Sequence, residues 1–305
     1  MRMNLMKLQI VELIDRHHHM TSVADILGIK QPTVTFHMKS LEEELQVRLF
    51  ESRSGKTFLT EAGQALLHYA VKINALAKES ERVVREYDSL CRGTLHIGAS
   101  YVPATYLLPV ILNAFAREFP GIRISLSVKP SPVIRDMLAR HQIDLGIISS
   151  APFTGPSLQA ESLCEDDLIL ICSPDHPLAK SDSLQPEQIV RTPFALHGTE
   201  SSTRQLTDQW LAQHGLHMRS PVELDSLEAI KQLVLLGDHI SFISRMAVQR
   251  ELQQGLLHVL IIPGHQASRH IYCVHNKDRL PSVQIQRFQE VLRERSNQLK
   301  LAMWE

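Results

Sequence analysis

Between Thr60 and Cys91 the chain carries a run that few folds can accommodate. Apolar residues stand at Ala62, Leu66, Tyr69, Ile73, Leu76, Val83, Tyr87 and Leu90, and with Ser80 included the steps alternate four and three. No proline interrupts the run, and no glycine falls between Ala65 and Cys91. Thr60 can cap a helix that starts at Glu61. A seam sustained for about four heptads asks for a partner helix. One small domain cannot bury such a stripe. The partner is a second copy of the chain or, alternatively, the chain's own second domain. Leu66, Tyr69, Ile73, Leu76 and Val83 are the expected dimerisation positions, with Ser80 a weak point that can set register.

Shorter helical patterns precede this run. Residues 4–17 read as an amphipathic helix, with Leu5, Leu8 and Val11 on one side. Ser22 followed by Asp25 resembles a capping box, so a second helix is expected from Ser22, stopped by Gly28. Gln31-Pro32 opens a third helix, where proline loses nothing. Two short helices joined by a tight turn make a helix-turn-helix pattern. On the third helix Val34, Met38 and Leu41 share one side, and Leu45 extends it. Gln31, Pro32, Thr33, Thr35, Phe36, Lys39 and Ser40 are expected on the other. Hydroxyls there can reach base edges or phosphates, Phe can touch a thymine methyl, and Lys can neutralise a phosphate. A solvated helix in a small bundle is the other reading. Arg53-Ser54-Gly55-Lys56 lies between short apolar segments and reads as a hairpin wing, with Arg53 and Lys56 free for the DNA backbone, or as a solvated loop. Formal net charge is −1, so any DNA contact must come from a local patch of this kind.

The chain has 305 residues, 44% hydrophobic and 21% charged, enough for two or three domains. Beyond Cys91, strand patterns such as "TLHIGA", "IRISLSV", "IDLGIIS", "DLILIC" and "HIYCVH" alternate with helical ones. This argues α/β, with mainly parallel sheets and helices on both faces. A switch near Glu161–Asp167 and a return near Gly264–His270 suggest two subdomains joined by crossing strands. The expected division is 1–60, a linker helix 61–92, and 93–305. Within the last, one lobe takes about 93–162 and 268–305, the other about 163–267. Ligands in such folds sit where strand ends and helix N-termini converge. Ser100, Ser149 and Ser150 follow strands, while Thr199, Ser201, Ser202 and Thr203 stand at a helix N-terminus with Arg204 in its first turn. Such an end favours anions, although each hydroxyl alone also suits turn or cap chemistry.

The segment "SVADILGIKQPTVTFHMKSLEEELQVRLFESRSGKTFLTEAG" resembles the N-terminal domain of LysR-type transcriptional regulators. The matching residues include Ala24, Gln31-Pro32, Leu41-Glu42, Leu49-Phe50, Arg53, Leu59-Thr60 and Ala62-Gly63. Lys30, Phe36 and His37 depart from the usual pattern. "LHIGAS", "YLLPVILNAFAREFPGIRISL" and "IDLGIIS" resemble that family's effector domain, itself similar to periplasmic solute-binding proteins. The "LLGDHISFIS" stretch departs, with His239 for a glycine and Ser244 for a proline. The resemblance implies an N-terminal all-α winged helix-turn-helix with a long linker helix, then a two-lobed α/β periplasmic-binding-protein-like effector domain. It further implies sequence-specific binding to double-stranded DNA, a homodimer or a pair of dimers, and RNA polymerase as a partner. A small effector, a carboxylate or oxyanion, would occupy a cleft at Ser100, Ser149 and residues 199–203.

Other features are read as bland. His17-His18-His19 on one helix point in three directions, so no metal and no cofactor besides the effector is expected. Cys91, Cys164, Cys172 and Cys273 form no CxxC pair, and "HGTESST" holds only hydroxyls where thiol-sensing members of the family carry a cysteine. A thiol-redox regulator is thus the alternative, and a stand-alone solute-binding protein a remoter one. No Gly-x-Ser-x-Gly, HExxH or glycine-rich phosphate loop suggests an enzyme. Charges interrupt the N-terminal apolar run, and no stretch approaches membrane-span length, so a cytoplasmic protein is expected.

Overall fold

The computed structural model describes residues 3–87, 93–181, 183–218, 221–262 and 269–304. Two compact units divide the chain, Met1–Ser89 and Leu90–Glu305.

In the first unit α1 (Leu5–His17) begins where the Asn4 side chain accepts the Lys7 N–H, and it ends at left-handed His18. That turn places His19 as the cap of α2 (Met20–Leu27). The helix therefore begins two residues before Ser22, which lies inside its first turn and caps nothing. The three histidines sit at this junction rather than along one helix. Gly28, in left-handed conformation, ends α2, and Lys30 precedes α3 (Gln31–Leu45), with Pro32 in its first turn. Val34, Met38 and Leu41 are buried with Leu8, Val11, Ile14 and Val23. The stripe ends there: left-handed Gln46 closes the helix and Leu45 is 43% exposed on its last turn. The chain then forms the hairpin β1 (Phe50–Arg53) and β2 (Lys56–Leu59). Ser54 and Gly55 both take positive φ, 51° and 76°, as a two-residue hairpin turn requires. Glu42 Oε1 accepts the N–H groups of Leu49 and Phe50 and fixes how the chain enters the wing. Thr60 Oγ1 accepts the Gly63 N–H at the start of α4 (Glu61–Tyr87). A Cβ at Gly63 would lie 2.3 Å from the Leu49 carbonyl oxygen, so only glycine lets this helix approach the wing.

The second unit opens with β3 (Gly93–Ala99) and a wide turn, Pro103–Leu107, leading into α5 (Leu108–Glu118). Pro109 has no N–H to offer, and the helix widens just before it. There follow β4 (Ile122–Val128), α6 (Ser131–Ala139), β5 (Leu145–Ser150) and β6 (Leu158–Glu165). After Asp166-Asp167 come β7 (Leu168–Cys172), α7 (Pro186–Ile189), β8 (Ala195–His197), α8 (Ser202–Gln213) and β9 (Val222–Leu224). Then α9 (Leu227–Leu235), β10 (Ser241–Ser244), α10 (Arg245–Gln253) and β11 (His258–Leu260) complete this lobe. Strand β12 (His270–Asn276) and α11 (Val283–Trp304) return to the first lobe. Its sheet has the order β4-β3-β5-β12-β6, over a core that includes Ile97, Phe115, Ile147 and Phe288. The second lobe holds the sheet β10-β7-β11 and the pair β8-β9, with Leu170, Phe194, Trp210 and Phe242 in its main core.

The sheets are mixed rather than mainly parallel. β3 runs parallel to β4 and β5, and β8 to β9, but β12 is antiparallel to β5 and β6, and β7 to β10 and β11. A crossover helix enforces parallel pairing only where it returns the chain to the same sheet. β6 follows β5 without a helix, and β12 arrives from the other lobe. Neither strand is bound by that rule.

Candidate functional site

The open side of α3 is narrower than its helical wheel suggests. Gln31, Pro32, Thr33 and Lys39 are exposed, and Phe36 is 66% exposed, unusual for a large apolar side chain. Two expected members are turned inward. The Thr35 hydroxyl donates to the Gln31 carbonyl (3.3 Å) and toward Met20 Sδ, its ordinary back-bond within a helix. Ser40 is half-buried and accepts from Lys7 Nζ at 3.0 Å. Lys7 is itself buried and ion-paired to Glu44 (2.6 Å), a cation that amphipathic spacing gives no reason to expect inside. On the wing, Arg53 and Lys56 face each other across the turn. Lys56 is exposed, while Arg53 is not free as expected: it pairs with Glu51 at 2.6 Å. Both groups of this pair are solvent-exposed, so breaking it costs little. Lys30 and Arg48 are further exposed cations of this unit.

Helix α4 uses two faces differently. Gly63, Ala70, Val71 and Asn74 are buried, and Asn74 donates to Glu12 of α1 (2.9 Å). The heptad positions largely stand outside this packing. Tyr69 is 62%, Leu76 43% and Ile73 37% exposed, while Leu66 is half-buried against the unit's own core. The side chains of Val83 and Tyr87, and Leu90 altogether, lie outside the described residues.

In the second unit one cleft of about 680 Å3 gathers Ser100, Ser149, Thr199, Ser201, Ser202 and Thr203. Ser100 Oγ accepts the Ser149 N–H (2.8 Å), and Ser131 Oγ donates to the Ser149 carbonyl (2.9 Å). Ser201 caps α8 by accepting the Thr203 N–H. Ser150 instead donates to the next carbonyl and does not line the cleft. Arg204 faces Asp208 and Glu223.

Lys129, His197 and Arg269 also line the cleft and were not singled out by the sequence reading. Arg269 is fully buried, pairs with Asp166 at 2.8 Å, and donates through Nη1 to Thr203 Oγ1 (2.7 Å). Asp166 and Arg269 lie in the two crossing segments, but nothing local to either shows that they pair. His197 donates to the Phe242 carbonyl through Nε2 (3.1 Å), which fixes the Nε2–H tautomer. Burial, then the nearby Arg269 guanidinium, push its imidazole down to about 4. The thiol alternative gains no support. Burial pushes Cys172 up to about 11 and Cys273 up to about 12, and Cys164 is buried in a different sheet from Cys172. Among the described residues no cluster of His, Cys, Asp or Glu could hold a metal, and no helix is long and apolar enough to cross a membrane.

Comparison with known proteins places this geometry in context. Residues 5–64 match the family described as bacterial regulatory helix-turn-helix protein, lysR family, and residues 89–297 match the LysR substrate binding domain. A probable RuBisCO transcriptional regulator from Porphyra purpurea is 34% identical over 292 residues, covering 94% of this chain and 92% of the relative. The Synechocystis PCC6803 CcmR regulatory domain, solved in complex with 2-PG, is 28% identical with a TM-score of 0.61, over 67% of this chain and 97% of that one. A full-length OxyR variant from Pseudomonas aeruginosa shares the fold, with a TM-score of 0.68 at 23% identity over 97% of this chain and 95% of that one.

Proposed function

The chain belongs to the LysR family of transcriptional regulators, and on that premise we propose that it reads specific duplex DNA as a homodimer or a pair of dimers and answers to a small anionic effector. The carrying observation is the exposed α3 face of Gln31, Thr33, Phe36 and Lys39 in the same unit as a hairpin bearing Arg53 and Lys56. Short polar side chains admit a close backbone, Phe36 offers an apolar contact, and the wing cations take phosphates. The exposed heptad face of α4 supplies the pairing, through Tyr69, Ile73 and Leu76 with half-buried Leu66 at one flank; by heptad spacing alone Val83 is the position that continues it. Pairing two heads lets them span half-sites about one helical turn apart, or a multiple.

The cleft at Ser100, Ser149 and the α8 N-terminus is the effector site. The relative bound to 2-PG supports a negatively charged ligand, as do the orphan N–H groups of a helix start. An effector that prefers one lobe arrangement shifts the population toward it. RNA polymerase is the further partner of a promoter-bound regulator, and the cytoplasm its place of action.

The DNA reading is tested by titrating salt. Arg53→Ala should weaken binding to all sequences alike and lower the slope of log K against log salt by about one. A change of preference at a single base pair, with the slope untouched, would contradict the phosphate role. The effector reading is tested by calorimetry of Ser100→Ala and Ser202→Ala with 2-PG: both should lose affinity, and unchanged affinity in both would refute the site.

A further inference from the structure

One ion pair pins together the two segments that cross between the lobes. Asp166 stands between β6 and β7, and Arg269 immediately precedes β12. Asp166 is 2% and Arg269 1% exposed, with Nε donating to Oδ2 at 2.8 Å. The Asp166 N–H also donates to the Arg269 carbonyl (2.9 Å), and the Ser244 hydroxyl donates to Asp166 Oδ1. Both carboxylate oxygens are thus engaged. On the guanidinium, Nη1 donates to Thr203 Oγ1 (2.7 Å) and Ser202 Oγ (3.3 Å). Its Nη2 has no acceptor among the described residues, although Arg269 lines the cleft. The same holds on the first lobe, where Ser149 lines the cleft, is 2% exposed, and has an unpartnered Oγ. Buried donors left without partners are costly, and a ligand oxygen would satisfy both.

Resting on the reading of the cleft as an effector site, we infer that Arg269 selects the ligand's negative end. A carboxylate or phosphoryl oxygen sits against Nη2 and the Ser149 hydroxyl. Asp166 is the positioning residue: it holds the guanidinium and competes with the ligand for its charge. Ligand and Asp166 then share one cation at the hinge, so occupancy is felt where the lobes join.

This arrangement gives the two partners opposite signs. Removing the Asp166 charge leaves the guanidinium to the ligand, so Asp166→Asn should bind more tightly. Arg269→Lys keeps a charge but loses the planar fork, so it should bind more weakly. A merely structural pair would weaken binding in both variants, because either change would loosen the hinge.

Calorimetry of the full chain, with 2-PG and inorganic phosphate as probes, reads the difference. The expected result is a loss of about tenfold or more in Arg269→Lys, a gain in Asp166→Asn, and a loss of a few-fold in Ser149→Ala. Parallel losses in the two charge variants, or Arg269→Lys binding like the wild type, would overturn the inference while leaving the effector site itself in place. Circular dichroism checks that each variant folds. Should the charge variants fail that check, Ser149→Ala decides: undiminished affinity overturns the inference. A wild-type chain that binds neither probe overturns both this inference and the anionic-effector reading.

Discussion

His197 gives the cleft a pH signature that a single substitution can isolate. Its pKa in the folded chain is about 4, against 6.5 for a free imidazole. The unfolded chain therefore takes up a proton first as pH falls. The folded state should lose stability progressively from about pH 6.5 downward, by roughly 3 kcal/mol once pH reaches 4. Above pH 6.5 the group contributes no pH dependence. Urea midpoints at pH 7 and pH 5 should differ more in the wild type than in His197→Asn; equal differences would contradict the burial argument. Single residues also mark where sequence reasoning stops. Ser149 was legible because it stands at the polar end of an apolar strand, one residue before its last, Ser150. Arg269 was not, because its burial depends on Asp166, 103 residues away, and no local pattern carries that pairing. Thr35 and Ser40 were placed on the open face by angle alone, but their hydroxyls are short enough to bond within the unit. Ser244 was noted as a departure from the family's pattern, and it is the residue whose hydroxyl engages Asp166. A proline there could not donate.

At the scale of elements, α4 was the most legible, since a long period leaves little room for another structure. Its second face, where Ala70, Val71 and Asn74 are buried and Asn74 bonds Glu12 of α1, was hidden among residues that a heptad count passes over. β6 was missed because "LQAESLCE" is a sheet-edge strand with polar residues between its buried ones. β9 spans only Val222–Leu224, too short to show alternation. The start of α2 was misread because left-handed His18, not a side-chain cap, sets it. Leu76→Asp should reduce the chain from dimer to monomer in light scattering, with helix content unchanged, because Leu76 is not needed for the fold of its own unit. An undisturbed dimer would remove the seam from the account.

The whole molecule joins a unit with an exposed helix-turn-helix face to a two-lobed unit with a polar cleft, in a chain of near-neutral net charge. Two-lobed organisation was legible from the crossing segments, while strand direction was not, because an apolar strand such as β12 reads the same locally whether its neighbours run parallel or antiparallel. On the proposed reading, near-neutral net charge leaves affinity for DNA to a few placed cations, and discrimination to α3. This placement of cations and of α3 is proposed to select particular duplexes. It is tested most directly by measuring equilibrium binding of the purified chain, at one fixed salt concentration, to fragments upstream of its own and adjacent genes and to random duplex, with and without 2-PG. The expected result is a preference on the order of a thousandfold or more for at least one fragment, altered in affinity or footprint by the anion. Equal binding to every fragment and to random duplex, in both conditions, would contradict it.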